Sequence, residues 1–460
     1  MKNFVLKIIV VLSMLFLQEH ASATQIFGTL KDDAHLNIYV AIEDDHITHQ
    51  HKYLAQSSIA EDGSFELNFQ LPDSIRKIYI KTIKHIFTLH VCMNGKYELT
   101  LQEPKEAAML DNKKLLKITS LQESSPKINA EINKIDSLFD AFFEKNFLLM
   151  IHPRSIKAAS DTFKIKLNEQ LKNYHVYSKE YAHFTMASID HAAGYREKYF
   201  FKTYTNYLGL HNHDAYYNYI NEHFKNYLEI EIAKTCFGDG KQMINNQHNV
   251  PDLLTKIQKC DSLQSIDSLR EYLLIAGLTK LYFKREFNKS SIEMMMRYIA
   301  FNSHVNENKR ATKNFIHRFE QLQVGSKAPD FELISHKADT IKLSQFNGAL
   351  TYIFFTKFDN FDWQTQLSIL ERLQLLYEKR VHIICITMDD DLKKMNELWK
   401  QKKFAETILN GYNDLALSEA YAIDTLPKYL LLDADGDILK NSNCSPVDGI
   451  EEIIKQYLKK

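Results

Sequence analysis

Apolar residues first recur in short extended runs: Ile26 to Leu30, Leu36 to Ala41, Phe65 to Phe69, Ile78 to Lys81, Phe87 to Val91 and Tyr97 to Leu101. Runs of this length between polar breaks predict β-strands. The breaks are Lys31-Asp32-Asp33, Glu61-Asp62-Gly63-Ser64, Leu71-Pro72-Asp73 and Asn94-Gly95. Asp62-Gly63 and Asn94-Gly95 suit tight turns, because glycine reaches positive φ without steric cost. Strands and turns at this spacing predict a small antiparallel β-sandwich over residues 24–105.

The period then lengthens. Ile128, Ile132, Ile135, Phe139 and Phe142 alternate steps of four and three, one face of a helix beginning after Ser125-Pro126. Asp214 is placed to cap a helix carrying Tyr217, Ile220, Phe224 and Tyr227, and Ile266, Leu269, Leu273 and Leu281 mark another. Residues 106–322 therefore read as an α-helical domain whose Tyr and Phe stripes form its core. Gly325 and Pro329 break that pattern, and strand and helix signals alternate beyond them. Strands are expected at Tyr352 to Thr356, His382 to Thr387, Tyr429 to Asp433 and Asp437 to Lys440. Helices are expected at Gln364 to Tyr377, Leu392 to Phe404 and Ile450 to Leu458. This order implies a three-layer α/β domain over residues 323–460, and a multidomain α+β chain as a whole.

The first residues follow a different logic. Lys2 and Lys7 flank the start of an apolar run from Ile8 to Leu17, and Ala21-Ser22-Ala23 gives the small-x-small pattern of a cleavage site. The run is shorter than the ~20 residues a spanning helix needs. Residues 1–23 are thus expected to be a cleaved signal peptide, the competing reading being an uncleaved anchor. The mature protein is expected in the periplasm or outside the cell, with no transmembrane segment.

Charge narrows the partners. Lys and Arg number 57 against 58 Asp and Glu, so no basic field is present to hold a nucleic-acid backbone. Cys92, Cys236, Cys260, Cys385 and Cys444 contain no C-x-x-C and no zinc-ligand spacing. Cys236 and Cys260 flank a helix–helix connection and are the candidate structural disulfide. Cys385 lies within an apolar strand and is expected to be inert. Cys444 is expected on the opposite side of the sheet from it.

The stretch Val324-Gly325-Ser326-Lys327-Ala328-Pro329-Asp330-Phe331-Glu332-Leu333 resembles the opening of peroxiredoxins and TlpA-like thioredoxins. Ile341 to Gly348 is similar to their L-S-D-F-x-G hairpin. Tyr421-Ala422-Ile423, Leu426-Pro427 and Tyr429 to Gly436 resemble their Y-x-V…P…L-I-D-x-x-G signature. The three-part order is similar to secreted thioredoxin-like proteins of Bacteroidetes type, in which Tyr217 to Phe224 resembles a recurring segment of the middle domain. The resemblance implies a thioredoxin-like C-terminal domain. It also implies a W-C-x-x-C motif at the end of the first core strand, where a helix N-terminus lowers the thiol pKa. Aligning Tyr352 to Phe355 and Leu367 places that motif on Asn360-Phe361-Asp362-Trp363, which cannot form a disulfide. No cysteine lies between Cys260 and Cys385, so no shifted alignment restores it. A peroxiredoxin P-x-x-x-T-x-x-C is also absent. Pro427 matches the family's cis-proline, whose role here is either to shape the start of a strand or to retain peptide binding.

Other clusters carry blander readings. His46, His49 and His51, like His211 and His213, are expected to be solvated loop residues rather than metal ligands. Asp389-Asp390-Asp391 is explained by helix capping, and Asp433 to Asp437 by a hairpin turn, its glycine being misplaced for a calcium loop. No cofactor is called for. The sequence therefore points to an exported thioredoxin-like protein without a dithiol site, a binding or assembly module for an extended peptide or envelope protein. The alternative is a thiol-disulfide oxidoreductase using an atypical cysteine. The leader makes a direct prediction: mass spectrometry of the protein from its host should find Thr24, or a residue within a few positions, at the N-terminus. Recovery of chains that keep Met1 in the membrane fraction would contradict it.

Overall fold

A computed structural model describes residues 23–458 except 105–107, 111–112, 151–152, 206–212, 235–238, 261–266, 336, 338, 358–362, 378–379, 390–406, 413, 424–425 and 442–443. The signal-peptide segment and the helix expected at Leu392 to Phe404 lie outside these residues. The chain divides into two compact units between Asn314 and Phe315.

The first unit opens with ten strands: β1 (Thr24–Thr29), β2 (Asn37–Glu43), β3 (His51–Ser58), β4 (Ser64–Phe69), β5 (Ile75–Lys81), β6 (His85–Cys92), β7 (Lys96–Gln102), β8 (Met109–Leu110), β9 (Lys113–Leu115) and β10 (Lys117–Glu123). Among the described residues they form two sheets, ordered β10-β7-β1-β4 and β3-β2-β5-β6-β9-β8. One apolar core draws on both: Ile26, Leu67 and Leu99 from the first, Ile38, Val40, Ile80 and Leu89 from the second. Each of these side chains is removed from water, worth ~1.5–3 kcal/mol apiece.

Three sequence expectations change here. The pairing is not wholly antiparallel, because β1 runs parallel to β7 and β6 parallel to β9. Strands continue past residue 105 to Glu123, where β10 pairs with β7; its alternate residues are half-exposed, so no apolar run announces it. At Asn94-Gly95 the positive φ of 62° belongs to Asn94 rather than the glycine, a conformation Asn tolerates.

Helices follow: α1 (Ile128–Met150), α2 (Pro153–Gln170), α3 (Val176–Ala192), α4 (Asp214–His223), α5 (Tyr227–Ile232), α6 (Val250–Cys260), α7 (Asp267–Leu281), α8 (Lys289–Asn302) and α9 (Asn306–Glu320). The stripe Ile128, Ile132, Ile135, Phe139 and Phe142 is buried along α1. Asn129 ties α1 to the strands: its Oδ1 accepts from the His90 N–H at 2.9 Å and its Nδ2 donates to the His90 carbonyl at 2.7 Å. The single helix expected from Asp214 to Tyr227 is two, since α4 ends at His223 and α5 starts at Tyr227. His223 stacks on Tyr219 and packs against Phe200. It lines an open cavity of about 730 Å³ with Phe184, His191, Tyr219, Phe224 and Tyr227.

The second unit holds β11 (Glu332–Ser335), β12 (Thr340–Lys342), β13 (Leu350–Thr356), α10 (Trp363–Tyr377), β14 (Val381–Thr387), β15 (Thr407–Asn410), α11 (Leu415–Ala420), β16 (Lys428–Leu432), β17 (Ile438–Lys440) and α12 (Ile450–Leu458). The sheet order is β12-β11-β15-β14-β13-β16-β17. β13, β14 and β15 run parallel, and β16 returns antiparallel to β13. β13 is buried at every position. Tyr352 and Phe354 join a core with Leu367, Leu370 and Ile454, while Ile353 and Phe355 join another with Phe331, Leu417 and Tyr421. Two-sided burial of this kind is why the strand reads as a continuous apolar run rather than an alternating one.

Burial, with a smaller contribution from His191, pushes the His223 imidazole down from 6.5 to about 4. Between those values the unfolded chain binds the proton that the folded chain refuses, so stability falls as pH drops from 6.5 towards 4. Chemical denaturation of His223→Phe and wild type at pH 7 and pH 4.5 should show a smaller acid loss in the variant. Equal losses would contradict this assignment.

Candidate functional site

The elements that would carry a thioredoxin-type site converge on one edge of the sheet in the second unit. β13 ends at Thr356, and α10 begins at Trp363. Asn360, Phe361 and Asp362 lie outside the described residues, and of the Trp363 side chain nothing is described. Leu426 and Pro427 precede β16, and the bond between them is cis. Register places Lys428 opposite Phe355 and Tyr429 opposite Phe354, so the Leu426–Pro427 loop sits at the C-terminal end of β13, the edge from which the chain departs towards α10.

A hydrogen bond that sequence reasoning missed fixes the start of the helix against this loop. The Tyr429 hydroxyl lies 2.9 Å from Gln366 Oε1 and donates to it. Gln366 is buried in the first turn of α10, and the Tyr429 ring lies parallel to Phe354 with centroids 5.5 Å apart. Strand alternation predicts where Tyr429 points, but no local signal pairs it with a glutamine 63 residues away. Lys428 donates from Nζ to the Ala422 carbonyl at 3.0 Å, which closes the loop behind Pro427.

The thiols are elsewhere. Cys385 and Cys444 are each 0% exposed, and both belong to the core that contains Leu367 and Ile454. The expectation that they lie on opposite sides is therefore corrected. Cys385 shares the parity of Ile383 on β14, and the chain after β17 returns Cys444 to that same core. Both are free, as is buried Cys92. Burial pushes Cys385 up to about 12, with Asp389 adding to it, and pushes Cys444 up to about 11 against the pull of Lys440. Cys92 is raised by burial as well. The proposed partner Cys236 lies outside the described residues, and nothing is described of the Cys260 side chain.

The histidine expectations divide. His49 is exposed, but its Nδ1 meets Glu43 Oε1. His46 is buried, stacked on Tyr217 at 4.1 Å between centroids, so it is not the solvated loop residue expected. Its carbonyl accepts from Asn221 Nδ2 at 2.7 Å and from the Tyr272 hydroxyl at 3.3 Å. His213 is buried, with Nε2 3.0 Å from the Tyr177 carbonyl, while His211 lies outside the described residues. Burial raises Glu43, but hydrogen bonds and charge from His46 and His49 outweigh it and hold the carboxyl well below its ordinary range.

Residues 324–441 match the family model described as AhpC/TSA family. That span is the C-terminal, thioredoxin-like part of the chain. Among solved structures, a candidate thiol-disulfide oxidoreductase from Bacteroides vulgatus is similar at 25% identity, covering 30% of this chain and 97% of that one, with a TM-score of 0.28. A candidate thiol:disulfide interchange protein DsbE from Chlorobium tepidum is similar at 22% identity, covering 30% and 97%, TM-score 0.27. The thioredoxin domain of a Bacteroides vulgatus thiol-disulfide oxidoreductase is similar at 20% identity, covering 29% and 98%, TM-score 0.27. No curated protein matches the chain. Among the described residues no helix is long and apolar enough to cross a membrane.

Sequestered thiols have a direct readout. Iodoacetamide at pH 8 should leave Cys92, Cys385 and Cys444 unmodified in the native protein and label all three after denaturation, read by peptide mass spectrometry. Rapid native labelling of Cys385 would show that the thiol is reachable.

Proposed function

We propose that the protein is an exported, non-catalytic binding or assembly module of the periplasm or cell envelope. It consists of a β-sandwich, a helical middle domain and a three-layer thioredoxin-like domain, with divisions near residues 123 and 322. By alignment, Asn360 and Trp363 of the segment Asn360-Phe361-Asp362-Trp363 take the two positions of the family's redox cysteines. The edge at Leu426 and Pro427 takes an extended peptide, whose backbone groups can pair along a strand end.

The observation that carries this reading is the location of the thiols. Dithiol exchange needs a thiolate that a substrate disulfide can reach. No cysteine lies between Cys260 and Cys385, and Cys385 and Cys444 are enclosed in a core that raises their pKa. The second reading, a thiol-disulfide oxidoreductase with an atypical cysteine, is favoured by the AhpC/TSA match and opposed by that burial.

The test is insulin reduction by the purified protein, expected at background. Catalysis abolished by replacing Cys385 or Cys444 would establish the second reading instead. The alignment has its own check in Asn360→Cys combined with Trp363→Cys. Two thiols two residues apart at a helix start suit a disulfide, with Cα atoms ~4.4–6.8 Å apart. Thiol counting under oxidant should show them paired. A folded double variant whose thiols stay free would place the ancestral site elsewhere.

A further inference from the structure

The loop between β2 and β3 and the first residue of α4 enclose a group of ionisable side chains that the thioredoxin-like unit does not involve. Glu43 closes β2, His46 follows three residues on, and Asp214 opens α4. One donor atom from each lies within 4.8 Å of the other two, and all three residues are buried. Glu43 Oε2 is 3.2 Å from His46 Nδ1. That spacing suits two ligands of one ion, Nδ1 and Oε2 each giving a lone pair, which leaves the imidazole proton on Nε2.

Two atoms of the group have nothing to bond to. His46 Nε2 and Asp214 Oδ2 are buried without a hydrogen-bond partner among the described residues, in side chains of residues only 8% and 9% exposed. An unpaired buried polar atom costs ~1–3 kcal/mol, and more when it carries charge. Asp214 thus brings unpaired acceptor lone pairs to a Glu43–His46 contact that a single proton serves, a surplus of lone pairs over protons. A cation is what satisfies lone pairs.

We propose that Glu43, His46 and Asp214 form a binding site for one divalent transition cation of the zinc class, with the imidazole and the two carboxylates as its ligands. A mixed nitrogen and oxygen set selects zinc-like ions, since calcium and magnesium favour oxygen alone. Two carboxylates balance the charge of the ion. Buried Arg76 pairs with Asp73 at 3.0 Å and donates to the Glu43 carbonyl at 2.7 Å. Asp44 and Asp45 are held by Asn314 Nδ2 at 2.7 and 2.9 Å and so are not required as ligands.

The experiment uses the untagged chain, stripped with chelator and titrated with zinc chloride by calorimetry, with cobalt substitution read by visible absorption. One ion per chain is expected, with no competition from calcium. His46→Ala and Asp214→Asn should each weaken binding by ~10-fold or more, while exposed His304→Ala leaves it unchanged. Absence of stoichiometric binding, or equal binding by the His46 and Asp214 variants, would overturn the proposal in favour of a proton shared within the cluster. Should both variants fail to fold, anomalous diffraction from wild-type crystals grown with zinc decides. An ion between the three side chains upholds the site, and an ion elsewhere overturns it.

Discussion

Burial of both faces of the strand Leu350–Thr356 obliges the second unit to place apolar material on each side of its sheet. α10 and α12 supply one side, and Phe331, Leu417 and Tyr421 the other. Neighbouring strands then follow the same rule, with Ile383 and Cys385 facing one core and Ile384 and Ile386 facing the other. The edge where the strand ends, and where the Leu426–Pro427 loop arrives, is set by that packing and by the register with β16. The same packing closes off the sulfur atoms.

Much of this unit is legible in the sequence, for a physical reason. A fully buried strand is a run of apolar residues whatever its neighbours are, and glycine and proline punctuate the turns at Gly325, Pro329 and Gly436. What is not legible is parity across long separations. Cys385 and Cys444 meet in one core because of where the chain goes after β17, and the Tyr429–Gln366 bond joins residues with no sequence pattern in common.

The first unit shows the opposite balance. Its helical stripe along α1 is plain, whereas β3 and β10 alternate half-exposed and polar residues and give little apolar signal. His46 looks like a loop histidine among Asp44, Asp45 and His49, since burial by an aromatic ring 171 residues later leaves no local trace. Tyr217, Asn221 and Tyr272, brought together by α4 and α7, help make it an interior residue.

That loop carries a consequence for how such a chain can be rearranged over evolutionary time. One carbonyl takes two donors from the helices, one imidazole takes an aromatic face, and one carboxylate from α4 stands beside it. Recombination that separated the β-rich part from the helices would strip all three arrangements in a single step. The two halves of the first unit therefore depend on each other for this arrangement, which neither could keep alone.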